Sequence, residues 1–309
     1  MADSEFLIPA QFIASPEAMQ RIWTPADAAR YTRWLATRHY ENFHVVSFLL
    51  PRELHQDFYN VYAFCRWADD LGDEIGDARK SLELLSWWRR ELDGMYAGRA
   101  SNPVFIALAQ TVERHRLPIE PFCDLITAFE QDQRVTRYRN WEELLEYCRY
   151  SANPVGRLLL YLCGYRDPMR QELSDATCTA LQLANHWQDV AVDLEKDRVY
   201  IPLDIMARHG YSLDQLYARQ FTPQFAALMR DIVNRARDLF LRGLPLAGTV
   251  GGRLAVDLEL FSRGGMRVLD KIEQQNYDVL SRRPAISKLE RVRILLSVLL
   301  RRGFAKAAA

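Results

Sequence analysis

The chain has 309 residues, of which 49% are hydrophobic and 26% charged, so it can bury a large core. Its 40 basic and 40 acidic side chains give a formal net charge of zero, which argues against nucleic acid as a partner. The first residues lack the basic start and apolar core of a secretory signal, and no uninterrupted apolar stretch reaches bilayer length.

Proline residues and helical spacing of the apolar side chains predict helices almost throughout, and no strand. After an irregular segment over residues 1–24, the predicted helices cover about 25–39, 52–72, 81–96, 103–115, 119–135, 141–163, 168–194, 225–244, 251–275 and 286–302. We find no internal repeat or linker, so we expect a single all-α domain over residues 1–309, a helical bundle. The five scattered cysteines favour buried thiols in a reducing compartment, and therefore a cytoplasmic protein.

The first candidate site lies where an aromatic run, residues 59–68, ends in Asp69-Asp70-Leu71-Gly72-Asp73-Glu74. On a helix, Asp69 and Asp73 are one turn apart on the same face, and Tyr62 and Arg66 continue that stripe. An ordinary salt bridge from Arg66 to Asp70 would explain part of it. The aromatic surroundings favour a buried site in which the guanidinium binds a phosphate oxygen.

A second acidic cluster repeats this geometry more than a hundred residues later. Gln182, Asn185, Asp189 and Asp193 follow one helical face. Lys196, Arg198 and Tyr200 then add hydrogen-bond donors. For Arg198 both phosphate contact and structural pairing are open, and for Lys196 the alternative is an exposed side chain with no role in the site.

Like charges one turn apart repel each other, so a cation is expected near both clusters. Mg²⁺ prefers carboxylate oxygens and is often completed by water and substrate phosphate. A lone pair of this spacing is usually a solvated face. Here the flanking residues are apolar and favour a metal site that binds a diphosphate: Trp67, Leu71, Trp187, Val190 and Val192.

The two stretches Tyr62–Asp73 and Gln182–Pro202 resemble the aspartate-rich signatures of squalene and phytoene synthases. Similarity extends from residues 39–43 and 49–51, through Gln131-Asp132, to residues 269–273. The resemblance implies an all-α isoprenoid-synthase fold with a central apolar cavity, two or three Mg²⁺ ions and a prenyl diphosphate substrate. It implies that Asp69, Asp73, Asn185, Asp189 and Asp193 bind metal, and that Asp69, Asp73, Asp189, Asp193 and Tyr147 are catalytic. The implied substrate-binding residues are His39, Phe43, Tyr62, Arg66, Asn153, Gln182, Arg198 and Tyr200.

Within the family, Ser151-Ala152-Asn153-Pro154-Val155-Gly156 resembles the hydroxysqualene synthases of hopanoid pathways. Proline inside a helix removes a backbone donor and forces a kink, which either frees carbonyls for water or substrate or serves packing alone. Tyr147 is the candidate for positioning water or handling a proton, with a buried structural hydroxyl as the alternative. Gly265 stands where carotenoid-forming relatives tend to place an aromatic residue, a change that we expect to enlarge the cavity.

This resemblance implies that presqualene diphosphate ionises, rearranges and is captured by water, with no nicotinamide cofactor. The alternatives are a squalene, presqualene diphosphate or phytoene synthase that condenses two prenyl diphosphates, and, disfavoured by its intact acidic clusters, a non-catalytic assembly subunit. The apolar and basic residues 292–302 fit either a helix that binds a membrane surface, where a lipid product could leave, or an ordinary bundle helix.

Overall fold

The computed structural model describes residues 6–38 and 51–307, with side chains as far as Arg301. In that part of the chain, the residues form helices and no β-strand, apart from one isolated bridge between Arg137 and Val199. The all-α prediction is therefore confirmed.

By their internal packing the residues form two compact units. The first unit comprises the residues up to Arg134 together with Arg157–Arg166, and the second comprises Val135–Gly156 and the residues from Asp167 onwards. The single domain expected from the sequence stays a prediction.

A short 3₁₀ helix, Arg52–Leu54, directly precedes the helix that begins at His55. The α-helices up to residue 132 are α1 Pro9–Ala14, α2 Pro16–Gln20, α3 Pro25–Arg38, α4 His55–Asp73, α5 Ala78–Tyr96, α6 Pro103–His115 and α7 Glu120–Asp132. Those that follow are α8 Trp141–Ser151, α9 Asn153–Leu162, α10 Pro168–Gln188, α11 Val190–Glu195, α12 Leu203–Arg208, α13 Leu213–Tyr217, α14 Pro223–Gly243, α15 Leu246–Thr249, α16 Gly252–Gln274 and α17 Lys288–Ala307.

Polar residues just before several of these helices satisfy the first unpaired backbone amides. The side chains of Asn140, Asp167 and Thr222 accept hydrogen bonds from the backbone N–H groups of Glu143, Arg170 and Phe225. Each cap is the kind that typically contributes about 1 kcal/mol to helix stability. These caps fix where α8, α10 and α14 begin.

Two helices predicted as continuous are divided. The predicted helix 141–163 breaks at Ala152, just before Pro154, because proline has no amide proton and clashes with the preceding turn. The predicted helix 168–194 breaks at Asp189, which lies outside regular helical geometry with φ −106° and ψ 13°. The kink expected at Pro154 is thus present, whereas the break at Asp189 has no proline to predict it.

The N-terminal expectation was wrong, because α1 and α2 give regular structure to part of the segment expected to be irregular. Three further short helices, α12, α13 and α15, were also missed. Helices of four to six residues are too short to show a helical repeat of apolar side chains.

The core of the first unit is aromatic. The indole rings of Trp67 and Trp88 stack with centroids 4.9 Å apart and an interplanar angle of 3°. Phe64 meets Phe122 edge-on at 4.9 Å, and all four side chains are buried. Every third or fourth residue of α4 therefore faces this core, which leaves its opposite face for polar groups.

The second unit is organised around α10, which packs on α8, α14 and α16. Gly243 of α14 makes part of this contact possible, since a Cβ there would lie 2.8 Å from the carbonyl oxygen of Leu173. Backbone cannot move aside cheaply, so only glycine fits at this crossing.

Candidate active site

The first acidic cluster lies at the C-terminal end of α4, on the face away from the aromatic core. Tyr62, Arg66 and Asp69 are half-buried, Asp70 is buried and Asp73 is exposed. Burial raises the pKa of the Tyr62 hydroxyl. The stripe predicted from the sequence is therefore present on one helix, with Tyr62 at its more apolar end.

Arg66 forms ion pairs with two carboxylates of this cluster. Its Nη1 lies 3.3 Å from Asp69 Oδ2 and its Nη2 lies 2.5 Å from Asp70 Oδ1. Burial raises the pKa of the Asp70 carboxyl to about 6, and the Arg66 guanidinium opposes that rise. The ordinary salt bridge between Arg66 and Asp70 considered from the sequence is thus present. The same guanidinium lies beside Asp69.

In the second cluster, hydrogen bonds bridge the break between α10 and α11. The backbone N–H of Asp189 donates to the carbonyl of Asn185 at 2.9 Å, and that of Asp193 donates to the carbonyl of Asp189 at 2.8 Å. The three predicted ligands therefore keep their one-turn spacing despite the change of helix. Val192, expected to be part of an apolar setting, is instead 43% exposed.

Asp189 forms an ion pair that sequence reasoning missed. The guanidinium of Arg283 bonds to both carboxylate oxygens, through Nε to Oδ1 and through Nη2 to Oδ2 at 3.1 Å. The only signal in the sequence is the basic pair Arg282-Arg283 before Pro284, and nothing there identifies a partner 94 positions away. The bidentate geometry is the strong form of this contact.

Arg283 also borders a cationic cavity. The cavity has a volume of about 380 Å³ and is lined by Lys271, Gln274, Gln275, Arg282, Arg283, Pro284 and Ala285. Positive side chains and amides of this kind can bind an anion.

An aromatic cluster surrounds Tyr147. Its ring lies 5.4 Å from Tyr138, 5.9 Å from Tyr200 and 6.2 Å from His186, and Tyr200 stacks on His186 at 3.6 Å. Burial, with a smaller contribution from Arg198, lowers the pKa of His186 to about 3, so its imidazole is neutral. The Nε2 atoms of Gln182 and His186 are 3.2 Å apart. Tyr147, Gln182 and Tyr200, predicted separately, therefore meet around His186, which sequence reasoning did not single out.

A small cavity adjoins this cluster. Its volume is about 10 Å³, close to the smallest that holds one water molecule. Its lining is mostly apolar, and the residues with polar side chains at its wall are His186, Asp193, Arg198 and Tyr200. The exposed Lys196 is not part of that lining.

Asn153 has a packing partner. The hydroxyl of Thr179 donates to Asn153 Oδ1 at 2.9 Å, and both side chains are buried. This bond ties the first turn of α9 to α10, which favours the packing explanation of the Asn153-Pro154 kink over water positioning.

Gly265 does not enlarge a cavity as expected. A Cβ at this position would overlap the ring of Phe240 and lie 2.9 Å from Leu181 Cδ2. Phe240 already fills the space that the missing side chain leaves. The other predicted substrate contacts, His39 and Phe43, lie outside the described residues.

The five predicted metal ligands fit Mg²⁺ by chemistry, because all offer carboxylate or amide oxygens. Among the side chains that the structure describes, however, no three His, Cys, Asp or Glu residues are grouped closely enough to hold an ion. The Asp189 carboxylate is also paired with the Arg283 guanidinium. A metal at Asp189 would therefore compete with Arg283 for this carboxylate.

Comparison with known proteins identifies the class. Residues 36–290 match the squalene/phytoene synthase family. The phytoene synthase of Thermus thermophilus is 34% identical over 258 residues, which cover 83% of this chain and 87% of the relative. The hydroxysqualene synthase of Rhodopseudomonas palustris is 32% identical over 276 residues, which cover 86% and 91%.

Solved structures of similar proteins come from the same class of enzyme. The squalene synthase HpnC from Alicyclobacillus acidocaldarius shares 43% identity with a TM-score of 0.79, over 86% of this chain and 98% of that one. A dehydrosqualene synthase solved with a ligand shares 25% identity with a TM-score of 0.81, over 92% and 98%.

The chain belongs to the squalene/phytoene synthase family and has its all-α isoprenoid-synthase fold. It is an enzyme of the class that joins prenyl diphosphates head to head, a class that uses a divalent metal to ionise the diphosphate.

Proposed function

We propose that the enzyme is a hydroxysqualene synthase that acts on presqualene diphosphate. The observation that carries the proposal is the water-sized cavity beside the cluster of Tyr147, His186 and Tyr200, whose mostly apolar lining includes Asp193 and Arg198. A relative of that name, at 32% identity over most of both chains, supports it. So does the hydroxysqualene synthase of Zymomonas mobilis, 40% identical over 181 residues.

In this proposal Asp69, Asp73, Asn185, Asp189 and Asp193 hold two or three Mg²⁺ ions. The metal supplies positive charge that favours departure of the diphosphate. Arg66 and Arg198 bind oxygens of the leaving group as its charge grows. The described positions of Arg66 beside Asp69 and of Arg198 beside Asp193 at the small cavity are consistent with these roles.

The chemistry begins when the C–O bond to the diphosphate breaks and the diphosphate keeps the electron pair. The cyclopropylcarbinyl cation that remains rearranges inside the apolar cavity implied by the family resemblance, from which bulk water is excluded. One water then attacks the cation through oxygen and loses a proton, which gives hydroxysqualene and needs no nicotinamide. Tyr147 is proposed to orient this water or to relay its proton to the released diphosphate, since its buried hydroxyl belongs to the aromatic cluster.

Condensation of two prenyl diphosphates is the second candidate, favoured by the 34% identity to a phytoene synthase.

We place the reaction in the cytoplasm, to which the free cysteines are suited, and at a membrane surface, where an apolar product can leave.

The test is to incubate purified enzyme and Mg²⁺ with presqualene diphosphate in ¹⁸O-labelled water, without nicotinamide. We expect hydroxysqualene whose hydroxyl oxygen carries the label, because water ends the reaction. A parallel incubation with farnesyl or geranylgeranyl diphosphate is the control. Phytoene as the main product, or an unlabelled alcohol, would assign the enzyme to another branch.

A further inference from the structure

The C-terminal helix α17 is attached to α16 by one side only. Val298 is fully buried, and Glu290 accepts ion pairs from Arg267 at 2.5 Å and Lys271 at 2.7 Å. Both basic residues belong to α16, so these contacts fix the rotation of α17 about its own axis.

The opposite side of α17 is apolar and open to solvent. Its exposed fractions range from 45% for Leu299 to 61% for Leu300, and the members of this leucine face are Leu289, Val292, Leu296, Leu299 and Leu300. At 3.6 residues per turn they cover an arc of about 100°. The face is therefore continuous, unlike the single apolar residues that ordinary surfaces expose. An ordinary bundle helix would bury it.

Basic residues border the leucine face. Lys288 lies next to one edge and Arg293 next to the other, each about 20° beyond the last apolar residue. Both are exposed, as are Arg291 and Arg301, while the acidic Glu290 already pairs with α16. The helix thus combines an apolar stripe with positive edges.

We propose that the leucine face of α17 docks on an anionic lipid surface. Leucine side chains enter the boundary between headgroups and acyl chains, and the lysine and arginine edges contact the negative headgroups. A second copy of the chain fits less well, because pairing two leucine faces would bring their basic edges together with no free acid between them. The inference rests on the proposed placement at a membrane surface and names the face of the protein that binds it; it does not depend on which product is formed.

The test is co-sedimentation of the full-length enzyme, without substrate, with extruded vesicles. We expect binding to vesicles that contain phosphatidylglycerol, weaker binding to pure phosphatidylcholine, and loss of binding as salt rises. The double variant Leu296→Ser, Leu299→Ser should bind at least about tenfold more weakly. Lys288→Gln with Arg293→Gln should remove most of the preference for anionic vesicles.

Leu241→Ser is the matched control, because Leu241 is 54% exposed but lies on α14. Its vesicle affinity should equal that of the wild type. Circular dichroism and melting temperature should be unchanged in all variants, since every altered residue is exposed.

No binding by the wild type, or equal binding by the double variant, would overturn the proposal. A wild-type dimer in sedimentation equilibrium that the double variant converts to monomer would assign the face to a second copy instead. Because no substrate is present, these results are independent of the product formed.

Discussion

At the scale of single residues, Asp257 of α16 is the most unusual buried group. It is 1% exposed, and neither of its carboxylate oxygens has a hydrogen-bond partner among the described residues. Burial raises the pKa of this carboxyl from 3.8 to about 8. The folded protein therefore keeps a proton that the unfolded chain releases.

This difference makes stability depend on pH. Between about pH 4 and pH 8 the folded state binds more protons at Asp257, so the free energy of unfolding should fall as pH rises. Asp257→Asn removes the titration, and its stability relative to the wild type should increase by roughly 1 kcal/mol per pH unit across that window. Urea unfolding of both proteins at pH 5, 6 and 7 measures it. Parallel stability curves would show that Asp257 titrates normally.

The contact between Arg283 and Asp189 gives a second prediction at this scale. Arg283→Gln removes a cation that competes with a metal for the Asp189 carboxylate, so Mn²⁺ should bind more tightly in the absence of substrate. The pair is partly exposed, which limits the gain to about fivefold. Free Mn²⁺ measured by electron paramagnetic resonance reports the affinity.

Arg282→Gln is the control for this variant, because it changes the neighbouring charge without touching the pair with Asp189. It should shift Mn²⁺ affinity by less than Arg283→Gln. Equal effects of the two variants would mean that the general positive charge of the segment matters and the direct contact does not.

At the scale of elements, neighbouring glycines of α16 differ sharply. A Cβ at Gly265 would overlap Phe240, whereas a Cβ at Gly264 would have no neighbouring atom within 4 Å. Gly265→Ala should therefore lower the free energy of unfolding by about 1–3 kcal/mol through overpacking. Gly264→Ala should raise it by about 0.5–1 kcal/mol, because alanine favours the helix.

Denaturant unfolding of both variants tests how α16 packs on α14. Both variants replace glycine by alanine at adjacent positions of the same helix, so the change in helix propensity contributes equally to both. The difference between their free energies of unfolding therefore reports packing. Similar stability of the two variants would contradict the contact between Gly265 and Phe240.

At the scale of the whole molecule, we expect metal to serve the reaction and not the fold. The core is made of apolar and aromatic side chains, and Asp73 and Asn185 are exposed. An excess of chelator, or Asp73→Ala, should abolish diphosphate release and leave the melting temperature within about 2 °C of the wild type. A coupled diphosphate assay and thermal unfolding monitored by circular dichroism measure the two quantities.

Asp175→Ala is a suitable control, since Asp175 lies on α10 but outside the acidic motif, and it should retain activity. Turnover in excess chelator would contradict the metal assignment. No helix in the described part of the chain is long and apolar enough to cross a membrane.

The sequence by itself determined the helical class and the family. Apolar residues at helical spacing are a local signal, and each acidic motif lies within about ten consecutive residues. Pro154 likewise predicted the break before α9, because its missing amide proton acts on its own turn. The residues whose roles depend on local spacing, such as Arg66 and Asp70, were therefore identified together.

Only the tertiary structure decided which distant groups meet. Arg283 lies far from Asp189 in the chain, Phe240 fills the space beside Gly265, and Thr179 bonds to Asn153. It also decided which side of α17 is buried, since the apolar pattern of that helix is compatible with either orientation. Long-range packing sets these contacts, and a local pattern carries no information about which distant side chain will occupy a given space.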